Sequence, residues 1–422
     1  MQNPKLDNRP IPEWYDQAKF GIFLHWGVYS VPAYDDPNSV NRRKIKNGAE
    51  WYLGRLNDWR NTNSPTIRFH NATYGSNFRY IDFGPMFTAE KWNPAVWVNY
   101  FKECGAKYLV ITAKHHDGFT LWPAPNSKDD KTGVPWNSVE NGPRRDILGI
   151  LRQECAKQGL IFGVYYSLLQ WNRNSRSQKY VRETVFPQLK DLVIKYEPQI
   201  LWLDGDWDGD ENHWRTTEFL TWLYNQSPVA KTIVVNDRQG KNTHGLRGDF
   251  YNFEDRYQPP FGQIPDHKWE SAMTIGNSWG YNQYQPDNFY KDPAELIRLL
   301  IRTVAYGGNF LLNLGPTLDG GFDPKETERL TEIGTWLKYN GEGIYLTKPY
   351  AVVESKDGIF FTVGEKCIYA LIPMDNRSPR IPFKYLKIEL LPGVGLESIE
   401  DLTRVDFPKE MKYYYTLKFR VS

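Results

Sequence analysis

The chain has 422 residues, of which 40% are hydrophobic, so it is long enough for one large barrel-type domain followed by a smaller one. Its 52 Lys and Arg residues nearly balance its 50 Asp and Glu residues. This balance argues against a nucleic-acid or anionic-membrane surface, which would need a concentrated basic face. Aromatic residues are frequent (16 Trp, 27 Tyr and 22 Phe), which is typical of proteins that stack flat rings on sugar faces.

The three cysteines, Cys104, Cys155 and Cys367, lie far apart and form no CxxC motif. We therefore expect the cysteines to form neither a disulfide framework nor a zinc site. The first 17 residues lack the apolar core of a signal peptide, and the longest uncharged run, 159–172, is shorter than the roughly 20 residues of a membrane helix. We expect a cytoplasmic protein, or a periplasmic or secreted one whose signal has been removed, without membrane or nucleic-acid partners.

Short β-rich runs alternate with helix-like stretches along most of the chain. Eight strands are predicted, at 20–27, 108–113, 160–167, 200–204, 232–238, 248–254, 273–281 and 309–314. This alternation favours an α/β fold of the (β/α)8-barrel type over residues 1–345. An open doubly wound sheet is the alternative, but it would normally place a Gly-rich phosphate loop after the first strand, where this chain has His25-Trp26-Gly27.

Helices are predicted between these strands wherever capping signals precede periodic apolar residues. Asn93-Pro94, Asp292-Pro293 and Asp323-Pro324 each combine an N-cap residue with proline at the first helical position. Other helices are predicted at 144–158, 178–196 and 217–225. After residue 345 the sequence contains β-like runs at 359–363, 367–372, 386–391 and 413–421 and no convincing helix. This pattern predicts a small C-terminal antiparallel β-sandwich over 346–422.

Polar and aromatic side chains follow nearly every predicted barrel strand. Reacting groups of barrel enzymes sit at the carboxyl ends of the strands, so this pattern predicts a polar ligand there. Asp204 is the sharpest candidate, because it ends the apolar run LWLD and is held by rigid backbone. A carboxylate in that position suits a nucleophile that attacks an anomeric carbon, although a helix-capping role is the structural alternative.

A second carboxyl group is needed as general acid and base. Glu254 and Asp255 follow the sixth predicted strand and Glu270 lies in the segment HKWE, so the three remain alternatives. The adjacent His115 and His116 point to opposite faces of a regular strand and rarely bind one metal together. We expect them and His25 to contact sugar hydroxyls, with buried structural histidines as the alternative.

The motifs at these positions resemble those of α-L-fucosidases of glycoside hydrolase family 29. The resemblance covers residues 12–345 and is carried by FGIFLHWGVYSVPAY, EWY, GAKYLVITAKHHDGFTLW, LIFGVYYSLLQW, PQILWLDGDW, VVNDR, HKWE, SWGY and GGNFLLNLGPTLDG. It implies a retaining exo-glycosidase that releases terminal α-L-fucose from fucosylated glycans by double displacement, without a metal or other cofactor. A glycosidase for a related sugar such as α-L-galactose, and a non-catalytic fucose-binding protein, are the alternatives; the oligomeric state is left open.

The resemblance also implies roles for individual residues. Asp204 matches the family nucleophile through the W-x-D motif. The acid/base falls on Asp255 when counted back from Trp269-Glu270, on Glu254 when counted forward through GDFYNFE, and Glu270 is the third option. The positions that match the lining of the fucose pocket are His25, Glu50, Trp51, His115, His116, Tyr165, Trp202, Arg238 and Trp279.

Overall fold

The structure is a computed structural model and describes residues 6, 9–37, 48–58, 60–253 and 255–421. Its first part is a curled sheet of seven parallel strands in the order β5-β4-β3-β2-β1-β7-β6. The strands are β1 Phe20–Leu24, β2 Tyr108–Lys114, β3 Ile161–Ser167, β4 Ile200–Asp204, β5 Val234–Val235, β6 Glu270–Thr274 and β7 Asn309–Leu314. The barrel-type α/β prediction is confirmed.

The predicted strand at 248–254 is wrong as a strand, and Glu254 lies outside the described residues. Among the described residues between β5 and β6, only two isolated bridges are found, Asn236 to Phe250 and Tyr251 to Trp269. The Asp237 carboxylate contributes to the difference, because it accepts the backbone N–H of Asn252 within the predicted strand, as well as that of Gly245 in the loop before it. Residues 250 and 251 thus link the two edges of the sheet without forming a full strand.

Alternating side chains divide the barrel into an inner and an outer layer. Phe20, Ile22 and Leu24 of β1 pack outward against the helices, whereas Phe23 packs inward. The inner layer is an aromatic cluster that includes Tyr15 of the first helix. Gly21 is required beside it, because a Cβ there would lie 2.4 Å from the Tyr108 ring. The barrel interior is therefore a packed core.

Helices cover the outside of this sheet. They are α1 Glu13–Ala18, α2 Tyr52–Leu56, α3 Pro65–Tyr74, α4 Pro94–Glu103, α5 Ile147–Gln158, α6 Gln178–Tyr180, α7 Phe186–Tyr196, α8 Glu211–Trp214, α9 Thr216–Gln226, α10 Pro293–Ala305 and α11 Pro324–Asn340. The predicted caps are observed: the side chains of Asn93, Asp292 and Asp323 each accept a first-turn backbone N–H. A π-helical segment, Val181–Val185, joins α6 to α7 within the predicted helix 178–196.

The second part is a six-stranded antiparallel sheet in the order β12-β11-β13-β10-β9-β8. Its strands are β8 Lys348–Glu354, β9 Phe360–Val363, β10 Cys367–Pro373, β11 Lys387–Leu390, β12 Val394–Leu396 and β13 Tyr414–Arg420. The predicted antiparallel β-structure is confirmed, with β8 and β12 as additional strands. Contacts with the barrel include Tyr306, whose hydroxyl donates to Glu354 at 2.6 Å.

The domain boundary at residue 345 stays a prediction. None of the helices described is long and apolar enough to cross a membrane.

Candidate active site

A pocket of ≈ 490 Å³, including its open mouth, lies at the carboxyl ends of the parallel strands. Its lining consists of Phe23, His25, Glu50, Trp51, His115, His116, Tyr165, Trp202, Asp204, Trp207, Arg238, Asp255 and Trp279. The structure thus brings together all nine residues predicted to bind substrate and two of the predicted catalytic carboxyls. Glu270 does not line the pocket.

Asp204 ends β4 at the floor of the pocket, where each carboxylate oxygen has a defined partner. The Tyr165 hydroxyl donates to Oδ2 at 2.6 Å and Arg238 Nη1 donates to Oδ1 at 3.2 Å. Burial raises the pKa of Asp204, and the Arg238 charge and the Tyr165 hydrogen bond oppose that rise. The carboxylate is therefore held in one orientation with little water around it.

Arg238 bridges the two predicted catalytic carboxyls. Its Nη2 atom donates to Asp255 at 2.9 Å while Nη1 contacts Asp204, and its guanidinium lies 5.2 Å from the centre of the Trp202 ring. The side chain of Asp255 is 40% exposed, whereas that of Asp204 is 14% exposed. One guanidinium thus contacts both a largely buried carboxylate and an exposed one.

Hydrogen bonds determine which ring nitrogen of His25 and of His116 carries the proton. Asn313 donates its amide hydrogen to a backbone carbonyl, so its Oδ1 accepts from His25 Nδ1 at 2.7 Å. Ser167 donates its only hydrogen to a backbone carbonyl, so its Oγ accepts from His116 Nδ1 at 2.6 Å. In the neutral imidazoles the Nε2 atoms are then hydrogen-bond acceptors.

All three pocket histidines are neutral near pH 7, because burial lowers the pKa of His25 to about 4, that of His116 to about 3, and that of His115 below its ordinary value. His115 Nδ1 is buried and has no hydrogen-bond partner in the described part of the chain. No group of three His, Cys, Asp or Glu residues there is placed to hold a metal ion. The imidazoles therefore offer hydrogen bonds to a polar ligand rather than charge.

Glu50 joins two loops at the pocket wall. Its carboxylate accepts backbone N–H groups from Gly48 at 2.7 Å and Gly280 at 2.9 Å. Trp51, the next residue, packs edge-on against His116 at 5.6 Å. The buried acid thus orders the loop that presents Trp51.

The inner wall of the pocket is apolar and aromatic. The Tyr165 and Trp202 rings stack at 5.7 Å, and Phe23 lies 5.4 Å from Trp202 and 6.0 Å from Trp279. These rings belong to the barrel interior, so their positions are set by the packed core below them. They provide a rigid surface for an apolar part of a ligand.

Glu270 lies beneath this wall and is fully buried. Its carboxylate accepts hydrogen bonds from the Tyr15 hydroxyl at 2.9 Å, the Tyr108 hydroxyl at 2.7 Å and the Trp202 indole at 3.0 Å. Burial raises its pKa to about 7. Glu270 therefore reaches the pocket only through Trp202, which it orients.

Sequence reasoning missed two lining residues, Phe23 and Trp207. Phe23 lies on β1, two residues before His25. Because side chains alternate between the two faces of a strand, both residues point to the inner face, so the sequence did contain a signal for Phe23. Trp207 lies on the 3₁₀ turn Asp206–Asp208 that follows Asp204. No periodicity in the sequence indicates which way that turn faces.

Two carboxylates in a polar and aromatic pocket at the carboxyl ends of barrel strands are the arrangement of a barrel-type glycoside hydrolase. A protein-family model described as alpha-L-fucosidase matches residues 1–342. The chain belongs to the α-L-fucosidase family. This confirms the family resemblance found in the sequence. It also confirms the prediction that the protein is a hydrolytic enzyme.

Known proteins resemble the chain along most of its length. The tissue alpha-L-fucosidase of Bos taurus is 41% identical over 380 residues, which cover 87% of this chain and 76% of that protein. The human tissue alpha-L-fucosidase is 41% identical and covers 87% of this chain and 77% of its own length. The crystal structure of Thermotoga maritima alpha-fucosidase in complex with fucose is 31% identical, with a TM-score of 0.79 and 97% of each chain covered.

Proposed function

We propose that this protein hydrolyses terminal α-L-fucosidic bonds of fucosylated glycans with net retention of configuration. The observation that carries the proposal is the pair Asp204 and Asp255, bridged by Arg238 at a pocket with an aromatic, closed base. A closed base admits one terminal sugar and favours exo-action. Membership of the α-L-fucosidase family supports the same activity.

In the first step Asp204 acts as the nucleophile. Its carboxylate oxygen forms a bond to the anomeric carbon while the bond from that carbon to the glycosidic oxygen breaks, which leaves a fucosyl-enzyme ester. Burial and the two fixed hydrogen-bond donors favour Asp204 for this role, because they orient the carboxylate without a competing water shell.

Asp255 serves as the general acid and then as the general base. It donates a proton to the departing glycosidic oxygen in the first step. In the second step it takes a proton from a water molecule, whose oxygen attacks the anomeric carbon. The bond from that carbon to Asp204 then breaks, which frees fucose and the Asp204 carboxylate. Its 40% exposed side chain supports this assignment, because the leaving group departs and the water enters through the pocket mouth. Glu270 is enclosed by three donors and reaches neither species.

The remaining lining residues recognise the sugar. The Nε2 atoms of His25 and His116 accept hydrogen bonds from sugar hydroxyls, and the unpartnered Nδ1 of His115 adds a third polar contact. The aromatic wall shelters the C6 methyl group that distinguishes fucose from galactose. A methyl group in such a niche contributes roughly 1–3 kcal/mol to discrimination.

Hydrolysis of 4-nitrophenyl α-L-fucoside, measured beside the α-L-galactoside and other aryl glycosides, tests the proposal. We expect turnover of the fucoside in preference to the rest, α-fucose as the first anomer seen by NMR, and loss of turnover in Asp204→Asn but not in the matched control Asp287→Asn, which changes an 85% exposed aspartate outside the pocket. β-Fucose as the first product would overturn retention. Preference for the galactoside would support the related-sugar alternative, and fucose binding without turnover would support a binding protein.

A further inference from the structure

Trp207 is the one exposed tryptophan in the part of the chain that the structure describes, with 43% of its surface accessible. It lines the pocket although its neighbours there are largely buried. We propose that Trp207 is the stacking platform of a second sugar subsite, which takes a pyranose as the aglycone next to the fucose. This inference rests on the proposed function and names the substrate class of the same site.

The position of Trp207 relative to the acid/base carries the argument. Of the residues that line the pocket, only Trp207 and Asp255 are exposed, so they mark its mouth. The acid/base must stand at the glycosidic oxygen, which is the boundary between fucose and aglycone. An exposed ring that shares the pocket mouth with Asp255 therefore faces the aglycone rather than the fucose.

The ring of Trp207 is part of an aromatic cluster that fixes its plane. It lies nearly parallel to Trp51, with centroids 6.3 Å apart and an interplanar angle of 18°, and packs edge-on against His116 at 5.2 Å. Trp51 in turn packs against Trp171 at 5.0 Å. Since His116 also lies 3.7 Å from the Asp204 carboxylate, the cluster connects the platform to the reacting centre.

The turn that carries Trp207 is held on both sides. Gly205 adopts a positive φ of 69°, and a Cβ there would lie 2.6 Å from Ser167 Oγ, so only glycine fits this close approach. The Asp206 carbonyl accepts the Trp214 indole N–H at 2.9 Å, and Ser175 donates its hydroxyl to Asp208 at 3.1 Å. A platform held this firmly loses little conformational entropy when a ligand binds.

A pyranose is the chemistry that such a surface recognises. The C–H face of the ring stacks on the flat indole, while the hydroxyl groups around the ring edge stay in water at the open mouth. Burying most of an aromatic ring on a ligand corresponds to roughly 10- to 100-fold in apparent affinity. We expect this gain to appear in kcat/KM for substrates with a sugar aglycone, and not for substrates without one.

The test compares two kinds of substrate on four proteins. α-L-Fucosyl fluoride has no sugar in the aglycone position, whereas α-fucosyl disaccharides with galactose (1→2) or N-acetylglucosamine (1→3 and 1→6) do, and the disaccharide cleaved fastest is used. The proteins are the wild type, Trp207→Ala, Trp207→Phe and Trp222→Phe. Trp222 is the matched control, because it lies on α9 and packs against Phe219 outside the pocket lining.

We expect Trp207→Ala to lower the ratio of kcat/KM for the disaccharide to that for the fluoride by 10- to 100-fold, with Trp207→Phe recovering part of the loss and Trp222→Phe leaving the ratio unchanged. An equal fall for both substrates would overturn the proposal, because Trp207 would then shape the fucose pocket. Wild-type turnover of the fluoride but of none of the disaccharides would also overturn it. Turnover of neither substrate would instead refute the proposed hydrolysis.

Discussion

The barrel holds buried acids at two levels, one on each side of Trp202, and their surroundings differ. In the pocket, Asp204 faces the full positive charge of Arg238. Below the indole, Glu270 receives three hydrogen bonds from neutral donors. Burial raises the pKa of both carboxyls, but only Asp204 has a guanidinium in contact to oppose that rise.

The comparison shows how one residue type serves two purposes. The Arg238 cation favours the charged form that Asp204 needs as a nucleophile, whereas Glu270, enclosed by hydroxyl and indole donors, orients its neighbours. The difference lies in access as well, because Asp204 opens to the pocket and Glu270 has no exposed surface. Replacement of Asp204 should therefore abolish activity, whereas replacement of Glu270 should mainly change how stability depends on pH.

The largest effect is expected for Asp204→Gly. Loss of the nucleophile should lower kcat on 4-nitrophenyl α-L-fucoside by at least about 10³-fold while the melting temperature and circular dichroism spectrum stay close to those of the wild type. Azide should enter the space left by the carboxylate and give β-fucosyl azide, identified by NMR. Activity within tenfold of wild type would show that Asp204 is not the nucleophile.

The next effect concerns Asp255→Asn. Turnover of a fucosyl disaccharide, which needs a protonated leaving group, should fall by about 10²–10³-fold, and turnover of the 4-nitrophenyl fucoside should fall much less. Azide should raise the rate and give α-fucosyl azide, because the glycosyl-enzyme still forms on Asp204. Glu254→Gln is the matched control; if azide rescues that variant instead, the acid/base assignment moves to Glu254.

Arg238→Gln tests whether the guanidinium keeps Asp204 ionised. The Arg238 charge lowers the pKa of Asp204, so its removal should raise that pKa, and the acid limb of the profile of kcat/KM against pH should move to higher pH. We expect a loss of roughly 10- to 100-fold at neutral pH, because the guanidinium also fixes both carboxylates. If the acid limb of the measured profile does not move, Arg238 only positions the two carboxylates and does not keep Asp204 ionised.

Glu270→Gln should have the smallest effect on activity. Its amide oxygen can still accept the Trp202 indole N–H, so we expect kcat/KM to change by less than about tenfold.

Stability should report the titration of Glu270. The pKa of Glu270 is about 7 in the folded protein and 4.5 for an ordinary glutamate, so the folded state binds more protons between these values. The free energy of unfolding should therefore fall as pH rises from 4.5 to 7, by roughly 3 kcal/mol at most for this group. The measurement is the melting temperature of the wild type and of Glu270→Gln from pH 5 to 8. If the two curves of melting temperature against pH are parallel, Glu270 does not titrate with a raised pKa in the folded protein.

Local features of the sequence predicted much of the fold. The apolar run 200–204 became β4, and the Asn-Pro and Asp-Pro pairs became the starts of α4, α10 and α11, because capping and strand burial depend on residues close in the chain. The predicted strand at 248–254 failed in part because the side chain of Asp237, more than ten residues earlier, accepts the backbone N–H of Asn252.

The residues of the candidate site could likewise be predicted only in part from the sequence. The carboxyl-terminal position of Asp204 on an apolar strand was readable from the sequence, and the family resemblance supplied the residues of the fucose pocket. Only the tertiary structure separated Asp255, at the mouth, from Glu270, whose partner Tyr15 is 255 residues away in the chain. It also exposed Trp207 at the pocket rim.

The sequence by itself therefore determined most of the order of strands and helices, the caps of three helices and the family. The tertiary structure decided which acid faces the pocket and which supports the core, because that distinction depends on burial and on donors brought together by the curled sheet. Such contacts between distant residues leave no periodic signal along the chain.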